Sequence, residues 1–193
     1  MERKWTERHR LQALGRESAD LLLKNCKLVN VLSGEIEDGI DIAIGGDRIV
    51  GVGHGYEAAH VIGCTGLYVH PGLSDAHIHL ESTKMTVFHA AKRMSQSGTT
   101  AVITDPHEIT NVAGLAGFMF QSECARLNRY IDVYFTAPSC VPTLNDLSVE
   151  TPGAKLDSET LALLSNMPRV VGLGELMNVP GVLDGDAEVI EKI

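Results

Sequence analysis

The 193-residue sequence has no disulfide frame and no cysteine metal cluster. Its four cysteines, Cys26, Cys64, Cys124 and Cys140, are widely spaced and form no C-x-x-C pair. Buried reduced thiols in a cytoplasm suit that pattern better. Residues 1–20 lack the apolar core of a signal peptide. No stretch is both long enough and apolar enough to span a bilayer. Excess positive charge is missing as well: 16 Lys and Arg stand against 25 Asp and Glu, a net charge of −9, with no basic stripe. That balance argues against nucleic acid or an anionic membrane as partner. There is no G-x-S-x-G elbow and no Walker-type phosphate loop. Tryptophan is scarce, and Trp5, the only one, is expected to pack on a neighbour. These absences leave a soluble, cytoplasmic protein as the expectation.

The composition, 44% hydrophobic and 21% charged, is that of a globular chain with one sizeable core and room for a small appended domain. Residues 1–19 read as a short helical or frayed lead-in. Residues 20–66 read as a small, incomplete β-domain. Leu21–Leu23 and Leu28–Val31 are apolar runs, and Ser33-Gly34 separates them from Ile40, Ile42 and Ile44, which alternate with Asp41 and Ala43. Gly45-Gly46-Asp47 then turns the chain into Arg48–Val52, and Val61-Ile62 is a further short strand.

From residue 67 the rhythm becomes strand then helix. Strands are expected at Leu67–Ala76, Thr99–Thr104, Ile131–Thr136 and Arg169–Gly174, the last a continuous apolar run of the kind buried on both faces. Helices are expected at about Lys84–Ser97, Asn111–Leu127, Asp157–Asn166 and from Asp186 to Ile193. A connection holding Pro138, Pro142, Pro152 and Gly153 is too rich in breakers for a regular element. Four strand–helix units make a parallel α/β architecture. A closed eight-stranded barrel takes about 250 residues, so residues 67–193 look like half of one.

The chemistry lies at the strand ends. In PGLSDAHIHL at 71–80, His77 and His79 are two residues apart and share a strand face, with Asp75 on it too. Neutral imidazoles at that spacing suit a single metal ion, although a bare H-x-H also fits a pair that only hydrogen-bonds. The second strand ends in Asp105-Pro106-His107-Glu108 and the fourth in Gly174-Glu175-Leu176-Met177-Asn178. Taken singly, Asp105 reads as a turn cap, His107 as a loop histidine and Glu175 as a solvated carboxylate. In a parallel barrel, however, the C-terminal strand ends converge. Glu175 is then the best third ligand, with Gly172 and Gly174 leaving room beside it. Its carboxylate could bridge two cations. Such a centre supplies hydroxide near neutral pH, with zinc, manganese and iron all open.

A β-strand domain followed by PG-x-x-DAHIHLE resembles the metal-dependent amidohydrolase superfamily. Within it, TDPHEITNVAG at 104–114, APSCVPT at 137–143 and GLGELMNVPGV at 172–182 resemble the prokaryotic adenine deaminases. The resemblance runs from about Asp20 to the end. It implies a fold of class α/β, the first half of a (β/α)8 TIM-like barrel preceded by part of a small β-sandwich domain. It implies hydrolytic deamination of adenine to hypoxanthine and ammonia at a binuclear divalent centre, with Mn2+ or Fe2+ favoured and Zn2+ possible. His77 and His79 would bind the more buried metal and Glu175 would bridge the two. Asp105 and His107 would be substrate or outer contacts. Partners would be adenine and water, and the full-length protein would be a homo-oligomer.

Two departures matter. Relatives acting on carboxylate-bearing cyclic amides often carry arginine directly after H-x-H-L. Here Glu81 stands there, and an acidic group suits a neutral purine with N–H donors. The family's further metal-binding histidines and its acid/base aspartate belong to later strands, so they are expected beyond Ile193, and the chain is expected to be an inactive N-terminal fragment. The competing readings are another cyclic-amide hydrolase or aminohydrolase of the superfamily, and a non-catalytic metal-binding half-barrel.

Overall fold

The structure, a computed structural model, describes residues 4–144 and 150–193. The chain divides into two units, Met1–Pro71 and Gly72–Ile193.

The first unit begins with α1 (Glu7–Ala13), capped by Thr6: its hydroxyl accepts from His9 N–H while the His9 ring accepts from Thr6 N–H. Residues 1–3 of the expected lead-in lie outside the described residues. A single sheet follows, formed by β1 (Ala19–Asn30), β2 (Glu35–Gly45), β3 (Arg48–Gly53), β4 (Ala58–Gly63) and the short β5 (Tyr68–Val69). β2 pairs antiparallel with β1 and β3, while β4 and β5 run parallel to β1. The two apolar runs expected as separate strands are one strand, β1. Asn25 absorbs the irregularity at φ 59°, where the register with β2 shifts, and its N–H donates to the Asp41 carboxylate at 2.8 Å. Both faces of this sheet carry a core. Ala19, Leu22, Ala43 and Val50 pack on one side, and Cys26, Ile42 and Cys64 form a second cluster. All four cysteines are free thiols.

The second unit holds a four-stranded parallel sheet ordered β6 (Leu73–Ile78), β7 (Thr99–Thr104), β8 (Asp132–Ala137) and β9 (Val170–Leu173). Helices α2 (Val87–Ser95), α3 (His107–Ala113), α4 (Leu115–Leu127) and α5 (Ser158–Ser165) make the return connections, and α6 (Val179–Leu183) and α7 (Ala187–Glu191) end the chain. Alternate residues of β7 and β8 (Val102, Val133, Phe135 and Ala137) enter one core with Ala90 and Ala91 of α2, Phe118 and Ala125 of α4, and Leu161 and Leu164 of α5. Parallel strands in sequential order put every C-terminal end at one edge.

Several elements differ from expectation. The strand expected at 67–76 is divided: Tyr68–Val69 pairs with β1 and Leu73–Ile78 with β7. Pro71 lies between them and has no N–H to donate to a ladder. The helix expected at 111–127 starts earlier, at His107, and breaks at Gly114, whose φ of 60° and ψ of −146° are not helical. The last helix is two short ones. β9 is an edge strand with Val171, Gly172 and Leu173 exposed, not buried on both faces. Between β8 and α5 no helix or strand occurs over the described residues, and 145–149 of that connection lie outside them. Among the described residues, no helix is long and apolar enough to cross a membrane.

Candidate metal centre

His77 lies near the end of β6, and His79 follows where the backbone is still extended, at φ −104° and ψ 97°, before a 3-10 turn over Leu80–Thr83. The strand stops at Ile78, yet that extended step keeps both rings on one side. Their Nε2 atoms are 3.3 Å apart. Glu175, just beyond β9, brings Oε1 to 3.6 Å from His77 Nε2 and 3.3 Å from His79 Nε2. The two outer strands of the sheet thus supply three donor atoms to one place. They are the three His or carboxylate groups placed to hold a metal ion among the described residues. A cation with bonds of about 2.1 Å in tetrahedral array has donors about 3.4 Å apart. The observed spacings fit that figure.

Each donor is aimed by neighbours. The Nδ1 of His79 meets the Asp105 carbonyl at 2.9 Å and Glu108 Oε2 at 3.2 Å. Burial opposes protonation of His79, but the carboxylates of Glu108, Asp105 and Glu175 and the Asp105 carbonyl outweigh it, so its pKa lies above the ordinary range. Glu175 is pinned at both backbone ends. Its N–H donates to Asp105 Oδ2 at 3.4 Å and its carbonyl accepts from Ser139 Oγ at 2.8 Å. The following turn is tied to β8 by Cys140, whose Sγ accepts from the N–H groups of Met177 and Asn178 at 3.2 and 3.4 Å.

Gly174 serves this arrangement for a different reason from the one its sequence suggests. A Cβ there would come within 2.5 Å of Asp105 Oδ2 and 3.1 Å of the Ala137 carbonyl. The glycine lets the carboxylate of Asp105, just past β7, reach the loop after β9. Gly172 has nothing within 4 Å of a notional Cβ, so the structure assigns it no such purpose.

Asp105 and His107 are buried behind the cluster. Asp105 is 1% exposed, and burial raises its pKa against the pull of the Glu175 N–H and two histidines. Its Oδ1 has no hydrogen-bond partner among the described residues, nor has Nδ1 of His107. The other His107 nitrogen meets Thr143 Oγ1 at 3.2 Å, and Thr143 N–H donates to Glu150, which also accepts from Asn111 at 2.9 Å. Glu81 lies further back: its oxygens accept from Ile109 N–H at 3.3 Å and Gln121 Nε2 at 2.8 Å. Burial raises the pKa of Glu81. In its hydrogen-bonded neighbour Glu108, burial is outweighed by Ser82, by Glu81 and by His79, and the pKa falls. Asp75, expected on the histidine face, turns back to accept from His77 N–H at 3.1 Å.

Sequence reading did not single out Glu108, Ser82, Ser139 or Cys140. Their signal is faint, because each acts through a neighbour brought close only by the sheet order. Glu108 falls within the DPHE segment, and Ser139 and Cys140 within APSCVPT.

Comparison with known proteins identifies the family. Adenine deaminase of Clostridium acetobutylicum is 45% identical over 182 residues, covering 94% of this chain and 31% of that protein. Adenine deaminase of Nitratidesulfovibrio vulgaris strain DP4 is 45% identical over 181 residues, covering 94% and 30%. The chain therefore spans less than a third of the length of these curated relatives. A solved structure of molinate hydrolase superposes with a TM-score of 0.44 at 15% identity, covering 63% of this chain and 30% of that one. The sequence profile of the amidohydrolase family matches residues 68–189. That span holds every residue of the candidate centre, and the chain belongs to the amidohydrolase family.

Proposed function

We propose that His77, His79 and Glu175 hold a divalent cation, and that the longer protein to which this chain corresponds deaminates adenine hydrolytically to hypoxanthine and ammonia. The observation that carries the reading is the meeting of two imidazole nitrogens and one carboxylate oxygen at 3.3–3.6 Å. The identity to adenine deaminases over nearly the whole chain supports the substrate. Mn2+ or Fe2+ is favoured, with Zn2+ admissible on the donor set. Oε1 of Glu175 is turned to the histidines, and its carboxylate would also serve a second cation if the centre is binuclear. A cation held there lowers the pKa of a bound water into the neutral range.

The chain's own residues position and polarise. Asp105 and Ser139 fix the Glu175 backbone, and the Asp105 carbonyl orients His79. The unpaired buried atoms Asp105 Oδ1 and His107 Nδ1 are suited to substrate or outer contacts. Glu81, two groups removed from the cluster, supports Glu108 in this reading.

The four parallel strands are read as the first half of a (β/α)8 barrel and the first unit as part of a β-sandwich. The remaining ligands and an acid/base aspartate would come from the length of the relatives that this chain does not span. This chain alone would be inactive, and the complete protein a cytoplasmic homo-oligomer.

The test is turnover by the complete protein, with adenine, a hydantoin and a dihydropyrimidine offered in parallel. Hypoxanthine and ammonia formed from adenine alone, and lost in Glu175→Gln, is the expected result. Turnover of a cyclic amide in place of adenine overturns the substrate. Full activity in Glu175→Gln overturns the centre.

A further inference from the structure

The ring of His79 separates two neighbourhoods. Its Nε2 faces His77 and Glu175, and its Nδ1 faces the Asp105 carbonyl at 2.9 Å and Glu108 Oε2 at 3.2 Å. A carbonyl and a carboxylate only accept, so Nδ1 carries a hydrogen, and a cation held between Nε2, His77 and Glu175 would take the Nε2 lone pair. The carbonyl alone would hold that hydrogen. What Glu108 adds is negative charge on the N–H, which makes Nε2 a stronger donor and holds the ring plane.

Glu108 is itself built into place. It lies in the first turn of α3, where a carboxylate complements the helix dipole. Ser82 Oγ donates to its Oε1 at 2.6 Å. Glu81 is hydrogen-bonded to it and is anchored in turn by Ile109 N–H and Gln121. The side chain of Glu108 is 47% exposed, yet both its oxygens are committed.

We propose that Glu108 is a positioning residue for the centre: it polarises His79 through Nδ1 and so sets the strength with which Nε2 binds a cation. The affinity part of this inference rests on the metal reading above, and the contact of Nδ1 with Glu108 does not.

The experiment uses the 193-residue chain with 15N-labelled histidine, as wild type, Glu108→Gln and Glu108→Ala. His79→Ala assigns the resonances. Without metal, Nδ1 of the wild-type His79 ring should carry a hydrogen-bonded proton. Its shifts should drift toward free-imidazole values in Glu108→Ala and less in Glu108→Gln, which keeps an acceptor but no charge. In a chelator competition, Zn2+ affinity should fall about 10- to 100-fold in Glu108→Ala, with Gln between. A merely structural role would lower stability in the alanine variant without ordering the shifts in this way. Unchanged shifts and affinity in both variants overturn the proposal. Wild-type chain that fails to bind Zn2+, with the Nδ1–H result intact, overturns the metal reading and leaves the orientation of His79 by Glu108 standing.

Discussion

The two units carry histidine equally and use it differently. Of the eight histidines, His9, His54, His60 and His70 fall in the first unit and His77, His79, His89 and His107 in the second. In the first unit they are scattered. His9 completes a helix cap, His70 reaches the adjacent Pro71 carbonyl, and His54 and His60 are exposed. The sheet there is mixed, and its histidines fall in a helix, within β4 and in loops rather than together past the ends of parallel strands. In the second unit the strands are parallel, and polar residues placed just past each strand meet at one edge. His77 and His79 come within reach of Glu175, almost a hundred residues away in sequence. Residue type is common to both units. Placement just past parallel strand ends is what makes one of them a site.

That contrast can be broken. The largest effect is expected from replacing a donor: His79→Ala should weaken Mn2+ or Zn2+ binding by on the order of 100-fold or more, exceeding an indirect substitution. Isothermal titration calorimetry reads this directly. Replacing His54 and His60 together with alanine should leave affinity unchanged. A loss there would place the site in the wrong unit.

Stability should divide along the same line. Phe135, 1% exposed, packs against Phe118 with ring centroids 5.5 Å apart. Phe135→Ala should cost the second unit about 3–5 kcal/mol by denaturant melts. Next comes Gly174→Ala. Its Cβ would meet Asp105 Oδ2 at 2.5 Å, and displacing that contact should cost about 1–3 kcal/mol. Metal affinity should fall with it, since the Glu175 N–H loses its acceptor. Gly172→Ala, with open space around it, is the control and should spare affinity.

The smallest expected effect belongs to the first unit. Asp20 is held below its ordinary pKa by the Arg8 guanidinium, 2.6 Å away, and by Gly46 N–H. A carboxylate with a lowered folded pKa stabilises fully above its unfolded value, and that contribution fades as pH falls through the folded one. Asp20→Asn should therefore differ slightly from wild type at neutral pH and converge with it in acid. A gap that widens on acidification would reverse the sign.

Much of this was legible in the sequence. The period-two pairing of His77 and His79 requires only local backbone geometry, and the strand–helix rhythm places Glu175 at a matching strand end. What stayed hidden depends on contacts between elements. The bulge at Asn25 is recognisable only once Asp41 is seen to satisfy its N–H. The helix break at Gly114 needs the close approach of α3 and α4, where a Cβ on Gly117 would lie 2.4 Å from the Ile109 carbonyl. The apolar run at Arg169–Gly174 suggests burial on both faces, but its sequence does not say that β9 is an edge strand with no described neighbour beyond it. Glu108 escaped notice because its effect on the site passes through the far nitrogen of His79.

The central claim is that three named donors from two separated strands bind one cation. X-ray absorption at the zinc edge of the Zn2+-loaded chain, compared with Glu175→Gln and His77→Ala, tests it most directly. The account predicts a first shell of two imidazoles and a carboxylate, completed by water, that loses one imidazole in His77→Ala and changes its oxygen shell in Glu175→Gln. A shell with no imidazole, or one unchanged in both variants, would contradict it.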